Sequence, residues 1–101
     1  MNMQKMMKEL QKMQGKMARV QGEMENSLFE AEAGGGAVKL AMNGKYEVQS
    51  VKIAKEAVDP KDVEALEDLL LAVFNAARAK VDMETQEKMG GLTKGLELPG
   101  L

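Results

Sequence analysis

The sequence predicts an α+β protomer ordered α-β-β-β-α, and three observations predict it. A heptad-spaced apolar run opens the chain, and alternating apolar and polar residues punctuated by glycine fill its middle. A second helical periodicity begins after an Asp-Pro pair. At 101 residues the chain is one small domain, 1–101, with no internal repeat and no linker.

The first element rests on Met3, Met6, Leu10, Met13, Met17, Val20 and Met24, whose steps alternate three and four. That is an a/d seam, carried on residues that form helices well. The spacing predicts a helix over 2–25, roughly 36 Å long. Gly15 and Gly22 each weaken it by about 1 kcal/mol relative to alanine.

Strands are predicted at about 27–33, 37–43 and 46–53, joined by short turns into an antiparallel meander. Tyr46 and Val48 share one phase while Val51 and Ile53 share the other, so a bulge or bend is expected at Gln49-Ser50. Asp59 reads as an N-cap, Pro60 as the first helical residue and Asp62 as a first-turn acid. Val63, Leu66, Leu70, Val73, Phe74, Ala77 and Val81 then keep helical spacing, predicting a second helix over 60–88 that stops at Gly90-Gly91. An irregular tail is expected over 90–101.

Gly34-Gly35-Gly36 and Asn43-Gly44-Lys45 invite a nucleotide-binding reading, and both fail it. A phosphate loop needs Gly, four residues, then Gly-Lys-Ser/Thr, but Lys45 precedes Tyr46 and Lys39 stands where the first glycine belongs. A dinucleotide fingerprint needs a third glycine where Lys39 again lies, and a helix where a strand follows. Asn43-Gly44 between alternating runs is instead a hairpin signal, with positive φ expected at both residues.

Composition removes most chemistry. With no His and no Cys there is no imidazole base, no thiol nucleophile and no usual transition-metal ligand set. Glu64, Glu67 and Asp68 read as a solvated helix face, and Ser27 and Ser50 lack a nucleophile context. The expectation is a non-enzyme with no catalytic residue, metal, cofactor or small-molecule substrate. No apolar run is long enough to cross a membrane, so a cytoplasmic protein without a membrane partner is expected.

Charge carries the functional signal. The net charge is −2 and the pI about 5.2, yet residues 1–20 hold five cations against Glu9 alone. Lys5, Lys8, Lys12, Lys16 and Arg19 step by three, four, four and three. At about 100° per residue they occupy an arc of roughly 80°, away from the apolar seam. Such a stripe can follow a phosphate backbone, with Arg78, Lys80 and Lys88 as secondary contacts. Three short strands cannot cover both long helices, so a homodimer is expected. The methionine seam supplies the alternative: an adaptor that captures a partner helix on a flexible, polarizable face, with DNA binding incidental.

Four stretches, taken together and in order, resemble the YbaB/EbfC family of bacterial nucleoid-associated proteins. They are "MMKELQKMQGKM", "GGGAVKLAMNGKYEVQSVKI", "ALEDLLLAVFNAARAK" and "EKMGGLTKGLELPGL". The resemblance spans nearly the whole chain. It implies a homodimer joined through the sheet region, with long helices projecting like tweezers. It also implies binding of double-stranded DNA with little sequence preference, in the nucleoid, for chromosome organisation or gene regulation. It supplies no base-reading motif, so the basic stripe stands on spacing alone, and the acidic pI departs from what DNA binding favours.

Overall fold

The computed structural model describes residues 2–93. Helix α1 (Met3–Asn26) leads into strands β1 (Leu28–Ala33), β2 (Val38–Asn43) and β3 (Val48–Ile53). A 3₁₀ turn (Lys55–Ala57) then leads to helix α2 (Val63–Thr93). The α-β-β-β-α order and the antiparallel three-stranded sheet are those the sequence predicts, with β2 central.

One face of the sheet carries the core. Val38, Leu40 and Met42 of β2 and Ala31 of β1 pack against Val73, Ala77 and Val81 of α2, flanked by Phe29, Leu66, Leu69 and Leu70. The buried α2 residues recur every four positions, the row a helix lays along a sheet. Helix α2 covers β1 and β2 and leaves β3 uncovered. Ala41 pairs with Ser50 and Met42 with Val48, which leaves Gln49 as the extra residue of a bulge. The phase slip expected at Gln49-Ser50 is therefore real. It returns Val48 to the same face as Val51 and Ile53.

Four expectations about boundaries and turns need correction. The second helix begins at Val63, three residues later than expected, because two acids cap in succession. Asp59 Oδ1 accepts from the Lys61 N–H at 2.9 Å to form a turn, and Asp62 Oδ1 accepts from the Ala65 N–H at 3.3 Å to start the helix. The helix also continues through Gly90 and Gly91 to Thr93. Glycine weakens a helix by about 1 kcal/mol but removes no hydrogen bond. From residue 94 the expected irregular tail lies outside the described residues. Finally, β3 starts at Val48 rather than Tyr46, because Tyr46 is a turn residue with φ 64°.

That turn also overturns the expected role of Gly44, which does not adopt positive φ. The Tyr46 N–H donates to the Asn43 carbonyl at 3.1 Å, and Tyr46 itself takes the left-handed conformation. This is a three-residue hairpin loop rather than a two-residue one. Asn43 is buried and fully engaged, accepting from the Lys45 and Glu47 N–H groups and donating to the Glu47 carboxylate at 2.9 Å. Gly44 is needed for close approach. Its N–H donates to the Met24 carbonyl at 2.9 Å, and a Cβ there would overlap that same carbonyl. The hairpin tip thus adds a second donor to a carbonyl that also accepts from the Ser27 N–H at 3.2 Å, and anchors the end of α1.

Candidate nucleic-acid interface

Helix α1 leaves the body at the β2–β3 turn, where Met24, its one buried residue, meets Gly44. Helix α2 passes the same place, since Asp82 accepts a hydrogen bond from the Tyr46 hydroxyl. The two helices pack together beyond the sheet and form an arm. The last buried core residue of α2 is Val81, so its arm segment adds roughly 18 Å, whereas α1 back to Met3 adds roughly 33 Å. The first turns of α1 therefore reach past the described end of α2, and the protomer extends 70 Å along its long axis.

Lys5, Lys8, Lys12, Lys16 and Arg19 are all exposed on this arm. Asn2 starts the helix just before them, its Oδ1 accepting from the Gln4 N–H at 3.1 Å. Along the axis the stripe runs roughly 21 Å, the length of about six base pairs. None of the five forms an ion pair or a side-chain hydrogen bond among the described residues.

The three secondary candidates do not join that stripe. Arg78 lies over the Tyr46 ring at 5.9 Å, a cation–π contact. Lys80 donates from its ammonium to the Glu30 carbonyl at the β1 edge. Lys88 is half-buried on the arm portion of α2. The hydrogen bond to Asp82 raises the Tyr46 phenol above its ordinary value of 10.0, with partial dehydration and the carboxylate charge adding to it and Arg78 opposing it.

The acids are spread over the molecule, with Glu9, Glu23 and Glu25 on α1 and Asp82, Glu84 and Glu87 on the arm portion of α2, but six of them cluster elsewhere. Glu56, Asp59, Asp62, Glu64, Glu67 and Asp68 sit before or within the first turns of α2. That end adjoins the β1–β2 turn, where Leu69 packs against Gly34. The arm leaves from the opposite end of the strands, at the β2–β3 turn. An acidic total therefore coexists with a run of five cations along residues 5–19 of α1, which lies at the other end of the protomer from the acidic cluster around the start of α2. Sequence alone could not reveal how far the stripe lies from that cluster, since it depends on which turn anchors α1.

No catalytic arrangement appears elsewhere among the described residues. One concavity, about 580 Å³, lies over the open sheet face and is lined by Glu30, Glu32, Lys39, Ser50, Lys52 and Lys80. No cluster of three metal-ligating acids occurs among the described residues, and no described helix is long and apolar enough to cross a membrane.

A second surface was not singled out from the sequence. Val48, Val51 and Ile53 oppose Met42, Leu40 and Val38 on the core face of the sheet, yet remain 39%, 42% and 40% exposed because α2 does not reach them. Leu71 and Phe74 occupy the flank of α2 shared with Arg78 and Asp82, which faces the β2–β3 side. Together these residues form an apolar groove between α2 and β3.

Comparison with known proteins agrees with this architecture. A nucleoid-associated protein of Bacillus licheniformis is 58% identical over 100 residues, covering 99% of this chain and 94% of that protein. The nucleoid-associated protein YaaK of Bacillus subtilis is 56% identical over the same length, covering 99% and 94%. The crystal structure of the uncharacterized protein HP0035 from Helicobacter pylori superposes with a TM-score of 0.77 at 18% identity. It covers 91% of this chain and 97% of that one, a likeness of fold. The family model described as the YbaB/EbfC DNA-binding family matches residues 1–96. With that match and full-length relatives above half identity, the chain belongs to the YbaB/EbfC family.

Proposed function

We propose that this chain is a nucleoid-associated protein of the cytoplasm that binds double-stranded DNA as a homodimer. Lys5, Lys8, Lys12, Lys16 and Arg19 make the phosphate contacts, and Lys88, half-buried on the arm portion of α2, is a secondary one. Arg78 and Lys80 already have partners on the body, so the proposal rests on α1. The observation that carries the reading is the exposed, unpaired run of five cations along α1, at the opposite end of the protomer from the acidic cluster around the start of α2. Family membership and the relatives' names support DNA as the partner. Phosphate contacts fix register but carry no base sequence, so low sequence specificity follows. The apolar groove between α2 and β3 is the self-association surface in this reading, since exposed apolar area of this kind marks an interface. Two arms per dimer then organise the chromosome or modulate expression by engaging one duplex at two places. No enzymatic step is part of the proposal.

The test is the salt dependence of duplex binding. With roughly 6–8 phosphates engaged per dimer, log K is expected to fall against log[salt] with a slope of roughly −5 to −7. A slope shallower than about −2 would remove the phosphate stripe as the mechanism. The adaptor function of the methionine face would then account better for the arm.

A further inference from the structure

Tyr46 holds an uncommon backbone conformation. Its φ of 64° lies in the left-handed region, where a bulky aromatic residue is an outlier. Such a conformation persists where its surroundings hold it, and here two contacts to α2 do so. The Tyr46 hydroxyl donates to the Asp82 carboxylate, and the Arg78 guanidinium lies over the ring at 5.9 Å. Arg78 and Asp82 are one turn apart on α2, so the side chain is gripped at its face and at its tip. Two residues back, the Gly44 N–H holds the Met24 carbonyl of α1. The hairpin tip is therefore a bracket, with one end on α1 and the other on α2.

The rest of the arm needs such a bracket. The a/d seam of α1 is mostly methionine, and Met3, Met6 and Met17 remain exposed. Methionine fills gaps without selecting one fit, so a methionine seam fixes helix register and rotation poorly. A directed hydrogen bond to a charged partner supplies that choice, as buried polar groups do in coiled coils. We propose that Tyr46 is a positioning residue of the arm: its bond to Asp82 pins the base of α1 against α2 in one rotation. The rotation of α1 sets the direction in which the basic stripe faces, so the functional consequence rests on the DNA reading above. Without the pin, α1 rocks on its methionines, and each encounter with DNA must first order the stripe.

Distances between two nitroxide spin labels test the pin without DNA. The chain has no cysteine, so Gln14→Cys on α1 and Glu64→Cys on α2, both at exposed positions, take the labels cleanly. Dilution with unlabelled chain keeps the measured distances within one protomer. The background is compared with Tyr46→Phe, Asp82→Ala, the two together, and Asp82→Asn. Duplex affinity and thermal unfolding are measured on the same set without labels. Phenylalanine keeps the ring beside Arg78 and loses only the hydroxyl, while asparagine keeps an acceptor that alanine lacks. Tyr46→Phe and Asp82→Ala are each expected to widen the distance distribution at least about twofold and to lower duplex affinity about fivefold, with the salt slope unchanged. The double variant should be no worse than either single one, and Asp82→Asn should recover most of the narrow distribution. An unchanged distribution in both single variants would overturn the proposal, as would additive effects in the double variant. Unfolding of both single variants would make the contact merely structural and overturn it too. If the intact protein binds DNA but the distances do not respond, this proposal fails alone. If the distances widen but the intact protein binds no DNA, the pin stands and only the DNA reading fails.

Discussion

Changing Lys5, Lys8, Lys12, Lys16 and Arg19 together to glutamine is expected to lower duplex DNA affinity at about 0.15 M salt by at least about 10³-fold. The size follows from counterion release. Each phosphate neutralised contributes a near-constant factor at a given salt concentration, and this change removes the whole stripe from both arms. Folding should survive, because all five side chains are exposed and none holds a described partner. Glutamine is nearly as good a helix former as lysine. Equilibrium binding by fluorescence anisotropy, with circular dichroism and light scattering on the same samples, checks the three parts. A variant that stays folded, dimeric and fully able to bind DNA would mean the stripe is only a solubility face.

Placing aspartate at Val51 and Leu71 together is expected to convert the proposed dimer to monomers and to weaken DNA binding by roughly 100-fold. Both positions lie on the groove between α2 and β3, where Val51 is 42% and Leu71 64% exposed in the protomer. An aspartate there costs the isolated protomer little, because solvent still reaches it. Two unpaired carboxylates facing a partner's apolar surface would be far more costly. The loss of DNA affinity comes from losing the second arm, since a linked second contact raises apparent affinity by about 10²–10⁴-fold. Sedimentation velocity gives the mass, and binding at one salt concentration gives the affinity. A double variant that remains dimeric would place self-association on another surface.

Much of this fold was legible because its signals were local. The a/d spacing of α1, the alternation in β2 and the four-residue rhythm of Val73, Ala77 and Val81 each report one element's own periodicity. The Gln49 bulge was visible for the same reason, as a change of phase within one strand. What was not legible depended on contacts between distant residues. Gly44 looked like a turn glycine in positive φ, but its role is to let the end of α1 approach the hairpin. Tyr46 looked like a strand residue and instead takes the left-handed position, held through its hydroxyl to Asp82 far along α2. The start of α2 moved because Asp62 caps it and Asp59 only shapes the turn before it.

The candidate site divides in the same way. The five-residue stripe needed only helical spacing, so it could be read directly. Arg78 and Lys80 could be chosen only as basic residues on the second helix, and their partners, the Tyr46 ring and the Glu30 carbonyl, come from other elements. The groove between α2 and β3 was hidden for a related reason. Val48, Val51 and Ile53 read as ordinary strand residues until the structure shows α2 lying over the other two strands.

The most direct test of the DNA contact is lysine footprinting: brief amine acetylation of the protein, free and bound to a duplex, with modification at each lysine read by mass spectrometry. Protection by DNA is expected at Lys5, Lys8, Lys12 and Lys16, with Lys39, Lys52, Lys55 and Lys61 modified equally in both states. Protection at the sheet lysines with none along α1 would contradict it, and would move the DNA from the arm to the body.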